Sequence, residues 1–124
     1  GLYTDPYQKM GYLSDQMLRA VRLVVDTGIH TGKMTREEAI QYYLNNISDS
    51  EEGATAAIER YMAIPGQALG YKIGSLKFLE LRAKYQKELG KKFSLAKFHD
   101  EILNQGCLPL SVLERKMELW AKKQ

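Results

Sequence analysis

The chain has 124 residues, enough for one domain whose core needs no disulfide or metal staple. Hydrophobic residues make up 44% and charged residues 27%, a globular balance that excludes intrinsic disorder. The net charge of +3 comes from scattered side chains, apart from a lysine-rich end at Lys116, Lys122 and Lys123, so nucleic-acid binding has no electrostatic footing.

Pro6 behind Asp5 is a good first helical residue, and Met10, Leu13, Met17, Ala20, Val21 and Val24 then recur at helical spacing as an inner face up to about Asp26. Asp15, Arg19, Arg22 and Asp26 form a ladder on the other side, read first as solvated surface and second as an internal polar site for Arg22 and Asp26. Gly28 and Gly32 should break the helix before Thr35 and Glu38 build a capping box for the next one. Ala39, Ile40, Tyr43, Leu44 and Ile47 give that second helix its inner face. Asp49 and Glu52 repeat the capping signal for a third helix with Ala54, Ala57, Ile58 and Tyr61 inward, ended by Pro65.

A fourth helix is predicted from Gly66 to about Leu89, stopped by Gly90. Gln67, Tyr71, Phe78 and Tyr85 fall on one side and Leu69, Ile73, Leu76 and Ala83 on the other, as in a helix packed on two sides. Gly66, Gly70 and Gly74 lie four apart, and each costs about 1 kcal/mol relative to alanine in a helix interior. A close helix neighbour or a ligand approaching the backbone would compensate. Ser94 caps a fifth helix holding Leu95, Phe98, Ile102 and Leu103, ended by Gly106, and Pro109 opens a sixth with Leu110, Leu113, Met117 and Trp120. The expected fold is all-α, a compact bundle of about six helices in a single domain over residues 1–124.

A complete catalytic set is not visible. His30 and His99 are the only imidazoles, with no His-Glu-x-x-His spacing and no cysteine pair, so a self-contained zinc site is not expected. His99 and Cys107 read as packed residues, His99 hydrogen-bonded. His30 follows a glycine segment from which a side chain can reach a site. Around the Pro65 break, Arg60, Tyr61, Gln67, Tyr71 and Lys72 place two cations, two phenols and an amide together. Phenols and amides can donate to a developing oxyanion, and Arg60 or Lys72 can hold a terminal carboxylate; plain packing of both tyrosines is the alternative. No apolar run approaches the roughly 20 residues that span a bilayer. The start, Gly-Leu-Tyr-Thr-Asp-Pro, has neither signal-peptide regions nor an initiator methionine, so a piece of a longer protein is expected.

The string from Arg19 to His30 (RAVRLVVDTGIH), the string from Pro65 to Gly74 (PGQALGYKIG), and Phe98-His99-Asp100 followed by Gly106, Pro109-Leu110 and Leu113-Glu114 closely resemble the C-terminal part of the bacterial domain-of-unknown-function 885 family. Longer members look like helical zinc metallopeptidases of the glutamate-zinc type, similar in plan to oligopeptidases and carboxypeptidases. The resemblance implies that the zinc-binding helix and a later glutamate ligand lie upstream, in a missing N-terminal part that is this chain's natural partner. It implies a peptide substrate, zinc for the full-length protein, no metal ligand here and no activity alone. His30 and Tyr71 would serve catalysis, and Arg60, Tyr61, Gln67 and Lys72 would contact substrate. It also implies a bacterial envelope or periplasmic location, although the residues themselves choose no compartment. A non-catalytic helical interaction or scaffold module is the competing reading, with the glycines covered by a neighbouring helix.

Overall fold

The computed structural model describes residues 2–124, which form helices and turns with no strand among them. The six helices are α1 Pro6–His30, α2 Arg36–Asn46, α3 Glu51–Ala63, α4 Leu69–Leu89, α5 Leu95–Leu103 and α6 Leu110–Ala121, with a short 3-10 turn at Gly90–Lys92. Local chemistry sets most of their ends. Asp5 accepts the Tyr7 N–H at 2.9 Å in front of Pro6, and the Thr35–Glu38 capping box forms in both directions. Ser94 accepts the Lys97 N–H at 3.4 Å, and Gly90 and Gly106 take φ of +52° and +69° after α4 and α5.

Three boundaries differ from expectation. Helix α1 does not stop at Asp26 but continues through Gly28 to His30, because the reversal comes later, at Gly32 with φ +69°. Gly28 is needed for contact instead: a Cβ there would sit 2.9 Å from Met34 Cγ, and its carbonyl accepts the Lys33 and Met34 N–H groups at 2.8 and 3.0 Å. His30 therefore stands in the last turn of a helix, not in a glycine loop. Ser50 rather than Asp49 caps α3, accepting the Gly53 N–H at 3.0 Å, while Asp49 accepts the Tyr43 hydroxyl at 3.2 Å and the Ser50 N–H at 2.8 Å. Helix α4 starts at Leu69, since Gly66 is a left-handed turn residue with φ +80°.

The chain forms two compact units, one ending at Lys72 and one starting at Ile73, with α4 continuing across the boundary. In the first unit Val21 and Val25 of α1 meet Ala39, Ile40 and Tyr43 of α2, with Ala54, Ile58 and Tyr61 of α3 and Ala68. The α2 and α3 faces are those the sequence predicts. The α1 face is so only at Val21: its packed stripe is Leu18, Val21, Val25 and Ile29, whereas Met10, Leu13, Met17 and Val24 are exposed. The stripe includes a charged residue, Asp26, which is 2% exposed and which an apolar-periodicity reading rotates outward.

The second unit buries Leu81 and Tyr85 of α4, Phe98 and Ile102 of α5, and Leu113, Met117 and Trp120 of α6. Tyr85 and Phe98 each meet Trp120 edge-on with centroids 6.1 Å apart, the geometry that ring quadrupoles favour. The predicted two-sided packing of α4 is not seen. Ile73, Leu76 and Phe78 are exposed, and so are Leu95 and Leu103 of α5. His99 is exposed with its ring 5.9 Å from Phe98, and Cys107 is an exposed thiol rather than a packed one.

Two buried phenols give tests of this packing. Burial, helped by the nearby Tyr61 and the Asp49 hydrogen bond and opposed by Arg22, pushes the Tyr43 hydroxyl up to about 12. An unfolded phenol ionises near 10, so the stability Tyr43 contributes is complete below about pH 10 and is lost as pH rises toward 12. Urea unfolding of the chain at pH 8 and pH 11 should show a drop that is smaller by about 1 kcal/mol in Tyr43→Phe; an equal drop contradicts the assignment. The Tyr85 hydroxyl is buried with no hydrogen-bond partner among the described residues. Tyr85→Phe should keep or raise the thermal midpoint, and a loss above about 1 kcal/mol would show that the hydroxyl is paired.

Candidate functional site

The first unit carries a polar cluster where the α3–α4 connection lies against the last turns of α1. Pro65 disfavours helical backbone at Ile64, which has φ −133° and ψ 73°, and α3 ends. Gly66 then turns left-handed and presents its N–H to the buried Asp26 carboxylate, at 3.1 and 3.2 Å from the two oxygens. One turn later on α1, His30 Nε2 lies 3.0 Å from the Tyr61 carbonyl oxygen and 3.8 Å from Asp26 Oδ1. A carbonyl only accepts, so Nε2 carries the proton and donates. This satisfies one of the carbonyls that the end of α3 leaves without an intrahelical partner. Nδ1 is the nitrogen left for any other role.

One turn before Asp26, Arg22 is the centre of the cluster. Its guanidinium carbon lies 4.6 Å from the centre of the Tyr71 ring and 5.3 Å from that of Tyr61, a cation held by two phenol faces. Its Nη2 donates to Gln67 Oε1 at 3.2 Å, and its Nε is buried without a partner. Among the described residues no carboxylate lies within 4.0 Å of it. Arg19, paired with Asp15, approaches the same Tyr71 ring at 5.4 Å, and Lys72 Nζ donates to Gln16 Oε1 at 3.3 Å. Burial raises the Tyr61 hydroxyl above the usual phenol range, with Arg22 and Arg60 pulling the other way.

Of the residues singled out from sequence, Tyr61, Gln67 and Tyr71 are gathered around Arg22. His30 joins them through the Tyr61 carbonyl, and Lys72 is tied to α1 beside them. Arg60 stands apart, exposed and without a side-chain hydrogen bond or ion pair among the described residues. Arg22 and Asp26 hold the cluster together, and the signal for them is the four-residue step between opposite charges inside an apolar stretch. The glycines do not form a covered strip. A Cβ at Gly66, Gly70 or Gly74 would meet nothing within 4 Å, so this chain leaves those positions open.

Among the described residues no group of three or more His, Cys, Asp or Glu side chains could hold a metal ion. Asp26 and His30 are a pair only, and the Asp26 oxygens already accept from Gly66. The residues present do not fit a zinc site. Their chemistry suits the binding of an anionic or carbonyl group, which hydrogen-bond donors and a cation at the edge of an open small-residue face can hold. No helix among the described residues is long and apolar enough to cross a membrane.

Comparison with known proteins places the cluster in a longer context. A solved crystal structure of a protein designated a lipoprotein, from Colwellia psychrerythraea, is similar over 100% of this chain at 49% identity and a TM-score of 0.96. The chain spans 21% of that chain, so it corresponds to about a fifth of a larger protein. No curated protein matches it. The family model described as "Bacterial protein of unknown function (DUF885)" matches residues 1–117, nearly the whole sequence. The chain belongs to that family.

Proposed function

We propose that this chain is the C-terminal, substrate-facing wall of a larger zinc metallopeptidase-like protein of the carboxypeptidase or oligopeptidase kind, and is inert by itself. The observation that carries the reading is the convergence of Tyr61, Gln67 and Tyr71 on Arg22, beside glycine positions that nothing in the chain covers. In this reading the metal belongs to the remaining four-fifths of the protein, because no set of residues here fits it. What this chain supplies is positioning. Tyr71 is half-exposed, and its hydroxyl makes no hydrogen bond among the described residues, so it can donate to a substrate carbonyl oxygen as negative charge develops there. His30, with Nε2 committed to the Tyr61 carbonyl, offers Nδ1 or acts by holding the end of α3 in place. Gln67 accepts from Arg22 and Lys72 donates to Gln16 beside them.

A second reading rests on a separate observation. Met10, Leu13 and Met17 of α1 line an uncovered groove of about 320 Å³ with Asn46, Ile47 and Ser48, as in a helical interaction module whose polar cluster is only structural.

The two readings part on the longer protein. Supplied with zinc and a mixed peptide library, it should release fragments, and Tyr71→Phe, which keeps the ring on Arg22, should lower kcat by roughly 100-fold with an unchanged thermal midpoint. No hydrolysis, or an unaltered kcat in this variant, would favour the interaction module.

A further inference from the structure

Three arginines are not fully exposed: Arg19, Arg22 and Arg36. Arg19 pairs with Asp15, and Arg36 with Glu37 and Glu59. Arg22 has no carboxylate among the described residues, although partial burial makes an unpaired charge most costly there. Arg60, Arg82 and Arg115 are also unpaired, but they are exposed and solvated. The two phenol faces at 4.6 and 5.3 Å stabilise the cation without using its N–H groups. Of the five N–H donors, one goes to Gln67. Nε is sealed from solvent and unpartnered, whereas Nη1 is neither hydrogen-bonded nor among the sealed atoms, so the guanidinium meets solvent through its Nη edge.

Around that edge the neutral groups are donors too. Gln67 spends its carbonyl oxygen on Arg22, which leaves its NH₂ free, and the Tyr71 hydroxyl is uncommitted. The two acids within the cluster are occupied, Asp15 by Arg19 and Asp26 by the Gly66 N–H. The result is a planar cation whose Nη fork keeps three unspent N–H donors, flanked by an amide and a phenol, and with no carboxylate paired to it among the described residues. A carboxylate matches that fork in shape and charge.

We propose that Arg22, with Gln67, is a recognition site for a free carboxylate, in its biological use the C-terminal carboxylate of a peptide. The peptide identity rests on the substrate-wall reading; the carboxylate site does not. Such a site selects chain ends over internal peptide segments, whose amides cannot take the fork.

The test is calorimetric titration of the longer protein with N-acetyl-dialanine, with the same compound as its C-terminal amide, and with inorganic phosphate. The acid should bind about tenfold or more tighter than the amide, in keeping with a charge-assisted pair. Arg22→Gln should remove that preference. If Arg22→Gln does not fold, Arg22→Lys, which keeps the charge but loses the fork, should cut the acid-to-amide ratio several-fold. Equal affinity of acid and amide, a preference that survives in a folded Arg22 variant, or phosphate binding tighter than the acid would overturn the proposal. Acid selectivity without any hydrolysis would remove the peptidase reading and leave the site; hydrolysis without acid selectivity would remove the site alone.

Discussion

One contact sets the geometry of everything around it: the Asp26 carboxylate, almost wholly inside the first unit, receiving the N–H of Gly66. A carboxylate removed from water costs several kcal/mol unless it is hydrogen-bonded, so the native chain must bring a donor to it. The donor comes from a backbone that points correctly only because Gly66 adopts φ +80°, a conformation that side chains disfavour. A negative charge on one helix thereby fixes where the connection between two others turns. Gln67 and Tyr71 follow that turn and inherit their direction from it.

The same logic extends along α1. Gln16, Arg19, Arg22, Asp26 and His30 are separated by steps of three or four, so they share one strip of the helix. Each takes a partner from the end of α3, the connection after it or the first turn of α4: Lys72, the Tyr71 ring, Gln67 with both phenol rings, the Gly66 N–H, and the Tyr61 carbonyl. Most of those partners are neutral. The strip is a row of polar side chains solved one at a time by backbone groups, side-chain donors and rings, which leaves Arg22 without a paired carboxylate among the described residues.

How much of this could be read in advance depended on whether the signal was local. Thr35 and Glu38 act across three residues, Gly90 and Ser94 act on their own helix ends, and the apolar faces of α2, α3 and α6 follow a regular period; all were legible. The packed face of α1 was not, because Asp26 lies on it and a periodicity argument assigns charge to water. The regular spacing of Gly66, Gly70 and Gly74 suggested a close helix neighbour or an approaching ligand, but Gly66 belongs to a turn, and the other two are open in a chain that spans about a fifth of its solved relative. Tyr61, Gln67 and Tyr71 were grouped correctly by the Pro65 break. Arg60 was included for its place in the sequence, yet the helix turns it outward. Arg22 and Asp26 read first as rungs of a solvated ladder and second as an internal polar site, and the fold selects the second.

The uncovered first half of α1 has a chemical corollary. Met10 and Met17 are 64% and 48% exposed, whereas Met117 is at 0%. A mild peroxide dose would convert the first two to sulfoxides long before the last, changing that flank from greasy to strongly polar without touching either interior. The thioethers are thus built-in reporters: whichever body comes to lie on this helix will shield them, and the order in which they oxidise records its footprint.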